Sequence, residues 1–379
     1  MPTKPRVLFI DDDSFMLKAL LRAALRLRPD WHYFLCEDAA HWQDALPEGV
    51  ADLIISDYLM PQMQGDVVLT QVMTVLPEAV RVLMTGDTSE DVVSSVSRQA
   101  HFVLSKPFAE QDLLQLFECI DRLRSLHLPL WLRQQLGKEG NLPVLPSIIR
   151  ELRQELGADA PSIDKVVDLI AHEPVIAARL IQLANSAFLG YSRATHSLSE
   201  ALLRLGLRLV EAIVILMAVE QQVASAHQGE DHLHLSELAF RQANTARALA
   251  KATQLPVAQQ DLLFVSALLS ALGPLSKLQL QSQLSTPLPE QFNGSRCETV
   301  LTVYLLTLWG YPAELCQLAL AQYPLGQIPD IADYRPFILA FTQQYYQGAS
   351  LGQLHQSARL VPHPGLQQAL LQLPELTKG

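Results

Sequence analysis

Five short apolar runs, each followed by an amphipathic or polar stretch, occupy the first 124 residues and restrict this part of the chain to one fold class. Val7–Ile10, Tyr33–Leu35, Leu53–Ile55, Val82–Met84 and Phe102–Leu104 are brief and unbroken, as strands buried on both faces of a parallel sheet should be. Helically spaced apolar residues separate them: Phe15, Leu17, Leu20, Leu21, Ala24 and Leu25 in the first interval, and Val92, Val93 and Val96 in the fourth. Strand–helix alternation repeated in this way predicts a doubly wound α/β domain with a five-stranded parallel sheet.

From Pro143 onward the period changes. Leu152 and Leu156, then Val166, Val167, Leu169 and Ile170, then Ala177, Leu180, Ile181 and Ala184, then Leu202, Leu203 and Leu205 recur at helical spacing, with no run of strands. This part reads as an all-α domain. The chain therefore divides into an α/β domain over residues 1–124, a connector over 125–142 and a helical domain over 143–379. Trp131 and Leu132 predict that the connector is partly packed.

Composition narrows the partners. With 49% hydrophobic and 18% charged residues the chain is no disordered segment, and its 379 residues suit two or three domains. The 28 basic and 39 acidic side chains leave a net charge of −11. Residues 1–124 hold 11 basic and 19 acidic groups, against 17 and 20 in the remainder, so the acidic excess sits at the front. That field opposes nucleic acid. Cys36, Cys119, Cys297 and Cys316 form no CxxC pair, as in a reducing compartment without a disulfide framework. The longest apolar run, Ala212–Val219, is far short of the ~20 residues that span a bilayer. No signal peptide is evident at the start, so the expectation is a soluble, cytoplasmic protein with no membrane partner.

In open α/β sheets, ligands bind outside the carboxyl ends of the strands. Here those ends carry Asp11, Asp12 and Asp13 after the first strand, Asp57 after the third, Thr85 after the fourth and Lys106 after the fifth. Converging carboxylates repel unless a cation lies among them, and a hard oxygen set with room for water suits Mg²⁺. A carboxylate beside that ion can attack a phosphoryl group, while a hydroxyl and an ammonium hold the transferred oxygens. The blander reading of any single strand-end aspartate is a helix cap, the role expected of Asp13.

Val7-Leu-Phe-Ile-Asp-Asp-Asp13, Asp57-Tyr-Leu-Met-Pro-Gln-Met-Gln-Gly65, Met84-Thr-Gly86 and Ser105-Lys-Pro-Phe108 resemble, in order and spacing, the motifs of response-regulator receiver domains. The resemblance covers about residues 5–124. It implies that Asp57 is the phosphoacceptor, and that Asp12, Asp57 and the backbone carbonyl of Leu59 hold Mg²⁺, with Asp11 acting through a metal-bound water. It further implies that Thr85 and Lys106 contact the phosphoryl group and that the Lys106–Pro107 peptide is cis. A histidine kinase or phosphotransfer protein is the implied donor. Two features depart from the family or qualify it. Val103 stands where the family often has an aromatic switch residue. Leu59 places an apolar side chain two residues after Asp57, from which slow hydrolysis of the acyl phosphate is expected.

The helical half resembles a second family. Leu142-Pro-Val-Leu-Pro146, the stretch from Ile163 to Glu173-Pro174, Ala177-Ala-Arg-Leu180, Leu183-Ala-Asn-Ser-Ala-Phe188, Ser197-Leu198 and Leu205-Gly206 are similar to the HDOD domain, an all-α relative of HD-type metal-dependent phosphohydrolases. Such hydrolases need a histidine, a His-Asp pair and further ligands to hold metal and activate water. The corresponding positions here are Gln242, within Phe240-Arg-Gln-Ala243, and Ser270 and Ala271, within Ala267-Leu-Leu-Ser-Ala-Leu-Gly273. The later histidine position falls in Leu320-Ala-Gln-Tyr-Pro324. No cofactor is expected in this domain, and no catalysis.

His227, His232 and His234 with Asp231 form the one histidine cluster; zinc is one reading of it, a polar loop the other and the favoured one. His172 and His196 sit at helix boundaries as packing or capping residues. Asn185 and Ser186 bond across helices or line a pocket, the first reading being favoured. The expectation that follows is a phosphorylation-controlled two-component response regulator whose helical half contacts a downstream signalling protein. Nucleotide or cyclic-dinucleotide sensing stands as the alternative, with phosphohydrolysis and DNA binding behind it. A homodimer is an open arrangement.

Overall fold

The structure, a computed structural model, describes residues 4–86, 99–138, 147–156, 162–185, 195–226, 231–284, 288–289, 295–320, 333–358 and 363–373. Val92, Val93, Val96, residues 142–146, Ser186, Ala187, Phe188, His227 and residues 321–324 lie outside these segments.

In the first part of the chain, β1 (Arg6–Ile10), β2 (His32–Cys36), β3 (Leu53–Asp57), β4 (Val80–Thr85) and β5 (Phe102–Ser105) form one parallel sheet in the order β2-β1-β3-β4-β5. Helix α1 (Ser14–Leu27) follows β1, α2 (Gly65–Val75) follows β3, and α3 (Glu110–Ser125) follows β5. A 3₁₀ helix (Ala39–Ala45) stands between β2 and β3 instead of an α-helix. The central strands match the expectation of burial on both faces, with every residue of β3 and β4 buried. The outer strands correct it: Leu35 in β2 is exposed, with Tyr33 and Phe34 half-buried, and Phe102 and Val103 in β5 are half-buried, because an edge strand has a neighbour on one side only. The core on one face gathers Leu8, Ile10, Trp42, Ile54, Val68, Leu69, Val72 and Leu83.

A reciprocal pair fastens the entry of β5 to β4. His101 N donates to Arg81 O at 2.8 Å, and Arg81 N donates to His101 Nδ1 at 3.0 Å. Burial, and then the adjacent Arg81 charge, hold the His101 pKa well below 6.5. The unfolded chain therefore takes up a proton near pH 6.5 that the folded chain refuses. Stability should fall as pH drops below 6.5, by up to about 1.4 kcal/mol per pH unit from this group. Urea unfolding of His101→Gln between pH 7 and 5 should show a shallower loss than the parent; an equal slope would exclude His101 as the cause.

Residues 125–142 contain a helix, α4 (Leu130–Leu136), whose Leu132 and Leu136 are buried while Trp131 is 37% exposed. Gln134 Nε2 donates to Glu78 Oε1 at 3.4 Å, so this helix lies against the turn before β4.

The rest of the described chain is helical: α5 (Ser147–Leu156), α6 (Ile163–Ala171), α7 (Pro174–Ala184), α8 (Leu198–Leu205), α9 (Leu207–Ala226), α10 (Asp231–Ala252), α11 (Val257–Leu269), α12 (Leu272–Gln283), α13 (Ser295–Leu308), α14 (Ala313–Leu320), α15 (Arg335–Tyr346), α16 (Leu351–Ala358) and α17 (Pro364–Leu371). The chain separates into two compact units, Met1–Val144 with Leu306–Tyr311, and Leu145–Leu305 with Pro312–Gly379. The apolar run in α9 explains itself: Ala212, Ile213, Val214, Ile215, Leu216, Ala218 and Val219 are all buried, so this helix is hydrophobic around most of its circumference and forms the centre of the second unit. Helices α6, α7 and α8 instead bury single stripes through Val166 and Ile170, Ile176 and Leu180, and Ala201, Leu202 and Leu205. Among the described residues one stretch, Val257–Gln283, is long and apolar enough to cross a membrane. Of its apolar window 67% is buried within the protein, as a core helix of this composition would be.

Candidate functional site

The strand order reverses direction of travel between β1 and β3, and this switch point opens a crevice at the carboxyl ends of the two strands. Both strands end in acid there. Asp11 follows β1, its backbone N–H donating to Cys36 O at 3.1 Å, and Asp57 is the last residue of β3. Both are buried, whereas Asp12 is exposed beside them. Oxygens from Asp11, Asp12 and Asp57 lie within 4.8 Å of one another. That donor set, three hard carboxylates open to solvent on one side, fits a divalent cation such as Mg²⁺.

Lys106 reaches the same point from the end of β5. Its Nζ lies 2.7 Å from Asp57 Oδ1 and 3.1 Å from Asp11 Oδ2. Burial raises the Asp11 pKa, against the opposing hydrogen bonds from Asp13 N–H and Lys106. Burial also works against the Lys106 charge, but its bonds to Asp57 and Asp11 outweigh it and the net shift is upward. The Lys106–Pro107 peptide is cis, and Lys106 N donates to Thr85 O at 2.7 Å. Thr85 itself is buried at the end of β4. Asp13 caps α1, its Oδ1 accepting from Phe15 N at 2.8 Å, while its own N–H donates to Asp11 Oδ1 at 2.9 Å. Leu59 is 64% exposed, outside the core. Val103 in β5 is half-buried beside Phe102.

Gly65 carries a constraint that its place in the motif did not reveal. A Cβ there would lie 2.1 Å from the Asp57 carbonyl oxygen, so the first residue of α2 presses directly on the strand that presents Asp57. Gly65→Ala should cost about 1–3 kcal/mol and weaken Mg²⁺ binding by moving Asp57. Urea unfolding with Mg²⁺ titration would check this, and an unchanged Mg²⁺ affinity would show that the strand end does not move.

In the second unit, Gln242, Ser270 and Ala271 all line one cavity. Three positions singled out along 30 residues of sequence thus share one place. None offers a histidine or carboxylate; Ser270 Oγ donates to Ala267 O at 2.6 Å, and Ala271 contributes a methyl group. The carboxylate among the lining residues is Glu298, and Lys277 Nζ pairs with it at 2.9 Å. Gly273 makes the close approach behind the wall: a Cβ there would lie 1.8 Å from Glu298 O, and its N–H donates to Thr302 Oγ1 at 3.0 Å. Glu298 and the glutamines of α15 carry no local signal in sequence, since folding alone brings them to Gln242.

The histidine cluster comes apart. Asp231, His232 and His234 begin α10 instead of lying in a loop, with His232 buried and His234 exposed. Asp231 and His234, three residues apart, share one exposed face while His232 is turned away and buried, and among the described residues the three do not gather into one ligand set. His172 stands at the C-cap of α6, its Nδ1 2.6 Å from Asp168 O, and His196 is exposed just before α8. Asn185 proves to be a clamp: its Nδ2 donates to Thr195 O and its Oδ1 accepts from Thr195 N, each at 2.7 Å. Thr195 Oγ1 in turn donates to Glu200 Oε2 at 2.6 Å, and Arg204 pairs with Glu200.

Comparison with known proteins follows the same division. The family model described as response regulator receiver domain matches residues 7–118, and the one described as HDOD domain matches residues 142–324. An uncharacterized protein of Treponema pallidum (strain Nichols) is 22% identical over 210 residues, which make up 52% of this chain and 40% of that protein's length. The signal receiver domain of an HD domain-containing protein from Pseudomonas fluorescens Pf-5 is 25% identical, covering 32% of this chain and 88% of its own, with a TM-score of 0.30. An HDOD domain protein of unknown function from Geobacter sulfurreducens is 18% identical, covering 61% of this chain and 83% of its own, with a TM-score of 0.43. A protein from Shewanella amazonensis SB2B, provisionally named a metal-dependent phosphohydrolase, is 18% identical, covering 71% and 99%, with a TM-score of 0.49. The chain carries a response regulator receiver domain followed by an HDOD domain, the architecture of a signal-transduction regulator.

Proposed function

We propose that this protein is a phosphorylation-dependent response regulator in which Asp57 accepts a phosphoryl group from a histidine kinase or phosphotransfer protein and the helical region serves as a non-catalytic protein-interaction output. The observation that carries the reading is the placement of the Lys106 ammonium 2.7 Å from Asp57 and 3.1 Å from Asp11, beside the three-carboxylate cluster. An Asp57 oxygen would attack phosphorus, forming a P–O bond as the bond to the donor breaks and its electrons leave with the donor. Lys106 and Thr85 would hold the transferred oxygens, and Asp11, Asp12, Asp57 and the Leu59 carbonyl would hold Mg²⁺. When bound, that ion supplies positive charge against the carboxylates and the incoming phosphate. The domain limits that go with this reading are 1–124, 125–142 and 143–379, and its compartment is the cytoplasm.

The absence of a histidine or aspartate at Gln242, Ser270 and Ala271 supports an output without metal-dependent hydrolysis. Added charge at Asp57 would shift an existing equilibrium of the receiver, and a coupling of about 1–3 kcal/mol suffices to reach the helical region.

Hydrogen exchange of the full chain, with and without Mg²⁺ and beryllofluoride, tests both parts. Protection near Asp57, Thr85 and Lys106 together with altered exchange beyond residue 142 is the expected result, and Asp57→Asn should abolish it. Protection confined to the first unit would reject the coupling. No protection in the parent would reject Asp57 as phosphoacceptor.

A further inference from the structure

The cavity around Gln242, Ser270 and Ala271 has a volume of about 140 Å³. It is comparable in size to the ~150 Å³ cavity known to hold one benzene ring. Its chemistry is unlike that of a metal or phosphate site. Gln242 from α10, and Gln343 and Gln347 from α15 and its C-cap, all line it. Among the described residues none of these three side-chain amides has a hydrogen-bond partner within the protein. Gln242 and Gln343 are half-buried, and Gln347 is exposed. The Gln242 and Gln343 amides stay open to solvent, so both are available to pair with a molecule that enters the cavity and displaces water from it.

Charge limits what that is. Glu298 is the charged residue of the lining, and Lys277 neutralises it. Among the described lining residues a phosphate would meet no cation, and a metal ion would meet no second carboxylate. An amide, by contrast, offers a donor and an acceptor side by side and pairs in bidentate fashion with a heterocycle edge of the same pattern. Tyr346, whose hydroxyl lies 3.1 Å from Thr245 Oγ1, adds an aromatic side chain to the wall.

We propose that this cavity binds an uncharged planar heterocycle with adjacent donor and acceptor groups, the chemistry of a free nucleobase, through Gln242 and Gln343. The site stands independently of phosphorylation at Asp57, and it makes the helical domain a ligand-binding module at the place where a hydrolase would hold metal.

Isothermal titration and thermal unfolding of the full chain with adenine, hypoxanthine, uracil and cytosine, and with the monophosphates AMP and UMP, test it. At least one free base should bind and raise the melting temperature with concentration, and the monophosphates should bind more weakly. Gln242→Ala and, on a separate helix, Gln343→Leu should each weaken that binding by about tenfold or more. Circular dichroism establishes that each variant is folded, and either one suffices if the other is not. No binding of any base at millimolar concentration would overturn the proposal. So would binding that both folded variants retain, or tighter binding of a monophosphate.

Discussion

Replacing Lys106 with methionine should destabilise the receiver unit by about 3 kcal/mol in the presence of EDTA, and Mg²⁺ should restore most of the loss. Asp11 and Asp57 expose 3% and 11% of their side chains and share one ammonium. Without it, two carboxylates would remain in the crevice with neither cation nor full hydration. Breaking a buried pair costs about 3–5 kcal/mol, and the lower end applies because the Lys106 side chain is 23% exposed and water reaches the site. A divalent cation neutralises the same oxygens, so the rise in stability on adding Mg²⁺ should be larger in Lys106→Met than in the parent. The double variant with Asp57→Asn should recover much of the deficit even in EDTA, since one of the two charges is gone. Urea unfolding followed by probes in the first unit reads all of these outcomes. Equal stability of Lys106→Met and parent in EDTA would mean that the ion pair has no energetic weight.

Asn185→Ala should cost the helical domain about 2 kcal/mol. The amide of Asn185 satisfies both backbone groups of Thr195, a residue only 4% exposed, through two bonds of 2.7 Å. A buried backbone group left unpaired costs about 1–3 kcal/mol, so two could cost more. Asn185 itself is exposed, however, and water entering the gap holds the effect to the lower part of that range. Asn185→Asp should fare little better, because a second oxygen would face the Thr195 carbonyl in place of the donating Nδ2. Faster amide exchange at Thr195, together with the unfolding midpoint, would report the loss. A change within about 0.5 kcal/mol would show that the clamp contributes nothing beyond an ordinary surface contact.

Much of the receiver was legible in sequence because its signals are local. The five apolar runs lie within the observed strands, since a strand flanked on both sides must be continuously apolar. The expectation failed at β2, where Leu35 is exposed and Tyr33 and Phe34 are half-buried, because no run of residues states which strand will lie at the edge. Asp231, His232 and His234 misled in another way. Their polarity and the nearby Gly229 suggest a loop, but the long helix α10 begins there, held mainly by the apolar face of its later turns.

The sequence by itself determined the two fold classes, the acidic strand ends with Thr85 and Lys106, and the residue types at Gln242, Ser270 and Ala271, which offer no histidine or carboxylate. Each is a matter of residue identity and short-range spacing. Only the tertiary structure decided that Lys106 bridges Asp11 and Asp57, that Gly65 must lack a side chain beside Asp57, and that Gln343, Glu298 and Gln242 line one cavity. Those relations join positions up to about a hundred residues apart. They arise when packing of the apolar faces brings the elements together, and the polar groups then meet in an arrangement that no local pattern encodes.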